Sequence, residues 1–195
     1  MKNEDLRLQL IRWIAEDDAT AQRLAANGSL FDGYHPEMEA IHRENATRLA
    51  NAVAEYGWPG RALVGEDGAE AAWRIAQHAI SEPALMRAWL RMIEDAAEQG
   101  DVRRMHVAML VDRIRVYEGR PQLYGTNYDW SEDGSCMTPM IGIENPECLD
   151  ERRREMGLPP MEWRRPPPPG ASRPRDLAVR AHEMAQWAKR VGWRP

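Results

Sequence analysis

Apolar residues recur every three to four positions along most of the chain, which is the spacing of one face of an α-helix. In residues 4–26, Leu6, Leu10, Ile14 and Leu24 share one stripe, with the acidic residues on the other face. Similar segments follow, each bounded by glycine, proline or a capping residue. The sequence therefore predicts seven helices, over residues 4–26, 36–56, 69–80, 83–99, 102–118, 147–156 and 174–190.

Two segments interrupt the helical spacing. Residues 60–68 are rich in glycine and are predicted to form a loop. Residues 119–146 hold four glycines and three prolines, and short runs at 122–128 and 137–143 flank a turn, which predicts a loose β-hairpin. The predicted fold class is mainly α: a single-domain bundle of about seven helices with a small β-hairpin or irregular region near residues 120–145.

A run of prolines separates the last predicted helix from the rest of the chain. Residues 164–170 read Arg-Arg-Pro-Pro-Pro-Pro-Gly, which predicts a polyproline II linker. The predicted organisation is a helical domain over 1–163, a Pro-rich linker over 164–172 and a C-terminal amphipathic helix over 173–195. Such a helix can pack on its own domain or on a partner chain, so a homo- or hetero-oligomer formed through it stays open.

Composition limits the classes of partner. The formal net charge is −5, which gives no argument for binding nucleic acid or a membrane surface. No run of about eighteen apolar residues predicts a membrane-spanning helix. The first residues lead into an amphipathic helix rather than an apolar signal segment, so we expect a cytoplasmic protein. Cys136 and Cys148 lack the spacing of a disulfide framework or a metal site and are expected to be free thiols.

His78 is the first residue with potential chemistry. It lies on the alanine-rich helix predicted over 69–80, beside Gln77 and one turn after Arg74. A lone histidine on an apolar face is commonly a hydrogen-bonded core residue. The functional interpretation makes His78 a general acid or base, with Gln77 and Arg74 binding substrate.

Asp112 and Arg113 form a second polar pair. Asp112 continues the apolar stripe of Met105 and Met109, so its carboxylate is predicted to be buried and to need a partner. One interpretation is an ion pair with an arginine of another helix. The other is that Asp112 orients His78 or acts as a second acid or base, while Arg113 binds an anionic or carbonyl group.

The loop after this helix carries further polar side chains. Gln122, Tyr124 and Asn127 follow Gly119 and Pro121, at a helix end where binding residues are often found. We expect them to position a substrate. The alternative is a turn whose polar groups satisfy its own backbone.

Motifs for metals and cofactors are missing from the sequence. The five histidines do not show a metal-binding spacing, and there is no phosphate loop, nucleophile elbow or dinucleotide fingerprint. The prediction is therefore no metal and no cofactor. A metal site assembled in space from His78, His106 and Asp112 is the less favoured alternative.

Several motifs occur in a fixed order: Gly57-Trp58-Pro59, Gln77-His78-Ala79, Asp112-Arg113-Ile114 and Gly119-x-x-Gln122-x-Tyr124-Gly125-Thr126. In this order they resemble an uncharacterised bacterial family known only as a domain of unknown function. The resemblance covers about residues 4–163. It departs at Asn127, where glutamine is expected, and in the helix after residue 165. It implies that the Gln-His, Asp-Arg and Gln-x-Tyr pieces act together, and it implies no particular activity.

Two functions remain open on the sequence. The first is a cofactor-independent enzyme of hydrolase or lyase type, with His78 and Asp112 as catalytic residues. It would catalyse hydrolysis, elimination or cyclisation on a small molecule or a peptide side chain, with a tailoring role in specialised metabolism as one setting. The second is a non-enzymatic binding or interaction module, in which the same residues form a buried polar network.

Overall fold

Helices dominate the fold, as predicted. The computed structural model describes residues 2–31 and 33–195. Within them lie α1 Glu4–Ala26, α2 Pro36–Tyr56, α3 Arg61–His78, α4 Pro83–Glu98, α5 Arg104–Tyr117, α6 Leu149–Glu155 and α7 Leu177–Arg190, with two short 3-10 turns at Ser29–Phe31 and Pro146–Cys148. Strands β1 Tyr128–Trp130 and β2 Met137–Pro139 pair antiparallel, with Tyr128 opposite Pro139. The predicted mainly α class with a small hairpin is confirmed.

Local capping explains why the bounds of α1 and α2 match their predictions. The Asn3 side chain accepts a hydrogen bond from the Leu6 N–H at 3.0 Å, which satisfies a free donor of the first turn of α1. His35 does the same for Glu37 at 3.2 Å, and Pro36 occupies the first position of α2. Both signals lie next to the helix that they begin, so the sequence displays them.

The start of α3 corrects a prediction. Residues 61–68, expected to be a loop, are mostly helical, and the chain is broken only at Gly65, where φ is 74°. The cap comes from far along the chain: the Asp101 carboxylate accepts the Ala62 N–H at 2.6 Å. Gly60 permits this approach, because a Cβ there would lie 1.9 Å from an Asp101 oxygen. A cap supplied by a residue so distant in sequence leaves no local pattern.

The core lies where α1, α2 and α3 pack together and α4 packs on α5. The bulkiest apolar side chains at its centre are fully buried: Leu10, Leu49, Ile75, Met86, Ile93 and Leu110. No helix in the described part of the chain is long and apolar enough to cross a membrane, as predicted. Both cysteines are free thiols, as predicted.

The C-terminal segment packs on the chain's own core. Helix α7 begins at Leu177, where the Asp176 carboxylate accepts the Val179 N–H at 2.9 Å. Trp187 and Trp193 are buried in the central cluster. The Trp193 indole N–H donates to the Ile80 carbonyl at 2.6 Å, which ties the end of the chain to the end of α3.

Candidate active site

Four polar side chains meet where α1, α2 and α3 come together. His78, the last residue of α3, places Nδ1 2.7 Å from a carboxylate oxygen of Asp17 on α1. Nε2 of His42 on α2 lies 3.3 Å from the other oxygen of the same carboxylate. The Tyr34 hydroxyl lies 2.7 Å from Nδ1 of His42. These contacts link the four side chains into one continuous hydrogen-bonded chain. The centroids of the two imidazole rings are 4.8 Å apart.

The hydrogen bonds of this chain define the proton positions. An ionised carboxylate only accepts, so both imidazole nitrogens that face Asp17 carry a proton. With His42 neutral, its Nδ1 is unprotonated and accepts from the Tyr34 hydroxyl. With His78 neutral, the unprotonated nitrogen is Nε2. This atom has no hydrogen-bond partner in residues 2–31 and 33–195, and the His78 side chain is 29% exposed.

Electrostatics support these protonation states. Burial of Asp17 opposes its ionisation, yet the hydrogen bonds from His42 and His78 outweigh this and hold the pKa of Asp17 well below its usual value. For His78 burial is the larger effect, and it lowers the pKa despite the neighbouring Asp17. At neutral pH the site therefore holds an ionised Asp17 beside a neutral His78.

Helical spacing brings Asp17 and His42 to the interior. Asp17 follows Ile14 by three positions and Leu10 by seven, and only 1% of it is exposed. The expectation that the acidic residues of this helix face outward is wrong for Asp17. His42, four positions after Met38, is also buried. Periodicity could have found both, whereas Tyr34 lies in an irregular loop without such a signal.

Asp112 has a different role from the one expected. It is fully buried and accepts hydrogen bonds from the N–H groups of Leu123 at 2.7 Å, Tyr124 at 3.0 Å and Thr126 at 2.9 Å. The Thr126 hydroxyl adds a fourth donor at 2.9 Å. The expected pairing of His78 with Asp112 is therefore wrong: Asp17 is the carboxylate that holds His78. Asp112 instead binds the backbone of the loop after α5.

Gln122 and Asn127 belong to the same loop network. The Gln122 amide is fully buried, donates to the carbonyls of Asn127 at 2.8 Å and Met140 at 2.9 Å, and accepts from the Asn127 N–H at 2.8 Å. The Asn127 side chain donates to the Thr126 hydroxyl at 3.2 Å. These groups satisfy the loop's own backbone, which was the alternative interpretation of this segment.

Tyr124 faces a different part of the surface. Its side chain lines a cavity of about 660 Å³ together with Glu94, Asp95 and Glu98 of α4. His78 and Asp17 are not among the residues that line this cavity.

The other expected binding residues divide into two groups. Arg74 is paired with Asp18 on α1, with Nη1 3.0 Å from a carboxylate oxygen. Gln77 is 5% exposed, and its amide nitrogen has no partner in the described residues. The charge of Arg113 adds to the burial-driven fall in the pKa of His78 and opposes the burial-driven rise in the pKa of Tyr117. The charge of Arg113 therefore reaches His78, although the adjacent Asp112 binds the loop.

The same cluster has the composition of a metal site. Asp17, His42 and His78 each offer one ligand atom, and these atoms all lie within 4.8 Å of one another. Two imidazoles and a carboxylate suit Zn²⁺ and other divalent transition metals, and Tyr34 stands where a hydrogen bond commonly orients a ligand histidine. The sequence predicted no metal because these ligands come from three helices and show no short spacing.

Comparison with known proteins places the chain in a family. A family model described as a family of unknown function, DUF6624, matches residues 4–165, which is most of the chain. The chain belongs to this family. The predicted resemblance to a domain of unknown function is thereby confirmed. The chain has no match among the curated proteins or the solved structures. The DUF6624 match contains Asp17, Tyr34, His42, His78 and Arg113, while α7 lies outside it.

Proposed function

We propose that the protein is a cofactor-independent enzyme that uses His78 and Asp17 for acid–base chemistry on a small molecule or a peptide side chain. The observation that carries the proposal is the chain from Tyr34 through His42 and Asp17 to His78, which leaves Nε2 of His78 free to accept a proton. A histidine oriented by a carboxylate is a common general base.

The roles follow from the proton positions. Nε2 of His78 removes a proton from the substrate or from a water molecule, and the charge that develops on the imidazole is stabilised by Asp17 at 2.7 Å. Tyr34 and His42 keep the Asp17 carboxylate oriented toward His78. The proton then returns to the leaving group or product, which fits hydrolysis, elimination or cyclisation. A positioned general base contributes about 10²- to 10⁴-fold to the rate.

Variants of His78 and Asp17 test this function while the substrate is still unidentified. Metabolite and peptide extracts are incubated with the wild-type protein, His78→Gln and Asp17→Asn, and compared by untargeted mass spectrometry. We expect both variants to turn over the compounds that the wild type consumes at least about 10²-fold more slowly than the wild type does. His182→Gln, at an exposed position of α7, is the matched control and retains turnover. Equal turnover by wild type and His78→Gln would refute the proposal.

A metal-dependent enzyme is the second candidate, favoured by the close approach of the ligand atoms of Asp17, His42 and His78. A bound divalent ion would activate a water molecule or polarise the substrate. Calorimetric titration of chelator-treated protein with Zn²⁺, Co²⁺ or Mn²⁺ distinguishes the metal-dependent enzyme from the cofactor-independent one. Binding with one ion per chain that is lost in His42→Ala supports the metal, whereas turnover that survives chelation supports acid–base chemistry alone.

The non-enzymatic alternative, a buried polar network, describes the residues around Asp112 and Gln122 better than those around Asp17 and His78. Around Asp112 and Gln122 the hydrogen bonds link side chains to the backbone of a single loop, which is a structural arrangement. At His78 a partly exposed imidazole keeps one nitrogen without a partner among the described residues. This difference supports an enzyme over a purely structural network at His78.

A further inference from the structure

Arg113 on α5 differs from the arginines around it. Arg74, Arg87, Arg115 and Arg180 each pair with a carboxylate: Asp18, Glu118, Glu144 and Asp129 in that order. Arg113 makes no ion pair and no hydrogen bond within the described residues, and its Nε is buried without an acceptor. A guanidinium that is partly removed from water loses hydration, and nothing in this part of the protein replaces it.

The position of Arg113 links it to the His78 site. Its charge acts on His78 and on Tyr117, which follows it by one turn of α5. The Tyr117 ring meets Trp187 edge to face at 5.8 Å, and Trp187 meets Tyr34 at 5.0 Å. Tyr34 is the residue that holds His42. The charge of the unpaired guanidinium therefore reaches His78, and ring contacts between α5 and α7 connect its surroundings to Tyr34.

The local balance of charge leaves Arg113 uncompensated. The Asp17 carboxylate is shared between His42 and His78. Asp129, the carboxylate whose charge acts on Tyr117, is paired with Arg180 at 2.9 Å. The guanidinium offers a planar fork of donors that matches a carboxylate or phosphate group.

We infer that the substrate of the His78 site carries an anionic group, a carboxylate or a phosphate, that binds the guanidinium of Arg113. This inference rests on the proposed function and narrows its substrate class. Binding of the anion holds the rest of the substrate beside Nε2 of His78, so that Arg113 supplies orientation and His78 supplies proton transfer. Neutral substrates of similar shape are then poor ligands.

Anion binding by the purified protein tests the inference. The probes are inorganic phosphate and malonate, titrated at constant ionic strength against a sodium chloride control and followed by calorimetry and thermal shift. We expect the wild type to bind at least one of the two probes and not chloride. The probe that binds more tightly identifies the group as phosphate or carboxylate.

Three variants locate the binding. Arg113→Gln is expected to weaken it about 10- to 100-fold, because it removes charge-assisted hydrogen bonds. Arg113→Lys keeps the charge but loses the fork, and is expected to fall between the wild type and Arg113→Gln. If Arg113→Gln does not fold, Arg113→Lys alone shows whether anion binding depends on this residue. Arg91→Gln, at an exposed position of α4, is the matched control and binds like the wild type.

The outcomes separate this inference from the proposed function. His78→Gln is expected to bind the anion within about twofold of the wild type, since it leaves the Arg113 donors in place. Wild-type protein that binds neither probe, or Arg113 variants that bind as well as the wild type, overturns the inference even if turnover depends on His78. Anion binding that is lost with Arg113 in a protein without turnover supports the anion site and counts against the enzyme.

Discussion

Two networks of buried polar residues in the described part of the protein differ in one respect. Around Asp112, hydrogen-bond donors of the loop after α5 surround the carboxylate. Around Asp17, the hydrogen bonds end at His78, where Nε2 remains free. A closed network stabilises a fold, whereas an open one leaves a group available for a ligand. This residue-scale difference, more than burial, is the basis for proposing a chemical role at His78.

Replacement of Asp112 tests the structural role. In Asp112→Asn the amide loses the negative charge and turns an NH₂ group toward backbone donors, so we expect a loss of about 3 kcal/mol in the free energy of unfolding. Urea denaturation measures it. Asp95→Asn, at an exposed position of α4, is the matched control and should change stability by less than about 0.5 kcal/mol. A similarly small effect for Asp112→Asn would show that the loop does not depend on this carboxylate.

His106 gives the protein a pH-dependent stability that is separate from the candidate site. It stacks on Trp73 with ring centroids 4.1 Å apart, and burial, followed by the charges of Arg103 and Arg61, lowers its pKa to about 4. The unfolded chain protonates this imidazole near pH 6.5. Between these two values the unfolded state binds more protons than the folded state, so stability falls as the pH falls.

The expected size of this effect is at most about 3 kcal/mol between pH 7 and pH 4, because the Glu70 carboxylate, 3.3 Å from Nε2 of His106, favours the protonated imidazole. Urea denaturation at a series of pH values measures it. In His106→Gln the dependence of stability on pH between pH 6.5 and pH 5 should be weaker than in the wild type, and the part that remains belongs to other groups such as His78. An unchanged slope in that variant would assign the pH dependence to other groups.

At the scale of elements, local signals were enough for some helices and not for others. The bounds of α1 and α2 follow from Asn3, His35 and Pro36, which are adjacent to the helices that they begin. The first turns of α3 were missed because Asp101, which follows α4, supplies their cap. A contact between residues far apart in sequence is not visible in a window of local pattern.

The contact of Gly60 with Asp101 can be tested by a double-mutant cycle. In Gly60→Ala the new Cβ would clash with the Asp101 carboxylate and displace it from the Ala62 N–H, at an expected loss of about 1–2 kcal/mol. Asp101→Ala removes the same cap. Because both changes break one interaction, the double variant should cost little more than Asp101→Ala alone, as measured by denaturation. Fully additive effects would argue against the shared contact.

At the scale of the whole molecule, the C-terminal segment completes the surroundings of the site. Helix α7 lies outside the DUF6624 match, yet Trp187 contacts Tyr34 and Tyr117. Arg194 donates to the Tyr117 carbonyl at 2.6 Å and fixes the end of the chain. The chain after the Pro-rich run is therefore part of the core that supports the tyrosine bound to His42.

Replacement of Trp187 tests how much the C-terminal segment contributes to the free energy of unfolding. Trp187→Ala removes a buried indole and should lower the free energy of unfolding by about 3–5 kcal/mol. Trp163→Ala makes the same change at a side chain that is 51% exposed and should have little effect. Chemical denaturation of both variants provides the comparison. Equal effects would mean that α7 adds little to the stability of the core.

The sequence predicted the fold better than it predicted the site. Periodicity and caps are local, so the helices could be inferred, whereas the functional roles of His78 and Arg113 stay predictions. The partners of His78 could not, because Asp17, His42 and Tyr34 come from three other segments that only the folded chain brings together. Asp112 was correctly predicted to be buried, but its partners are backbone groups of a loop whose path the pattern does not define.

The central claim is that Asp17 holds His78 as a neutral imidazole with a free Nε2. Nitrogen-15 NMR of chelator-treated, histidine-labelled protein at pH 7 tests it most directly, with the His78 signals assigned by their loss in His78→Gln. We expect His78 to carry its proton on Nδ1, with an unprotonated Nε2, and Asp17→Asn to shift this tautomer balance. A His78 that is fully protonated at pH 7, or protonated on Nε2 alone, would contradict the account.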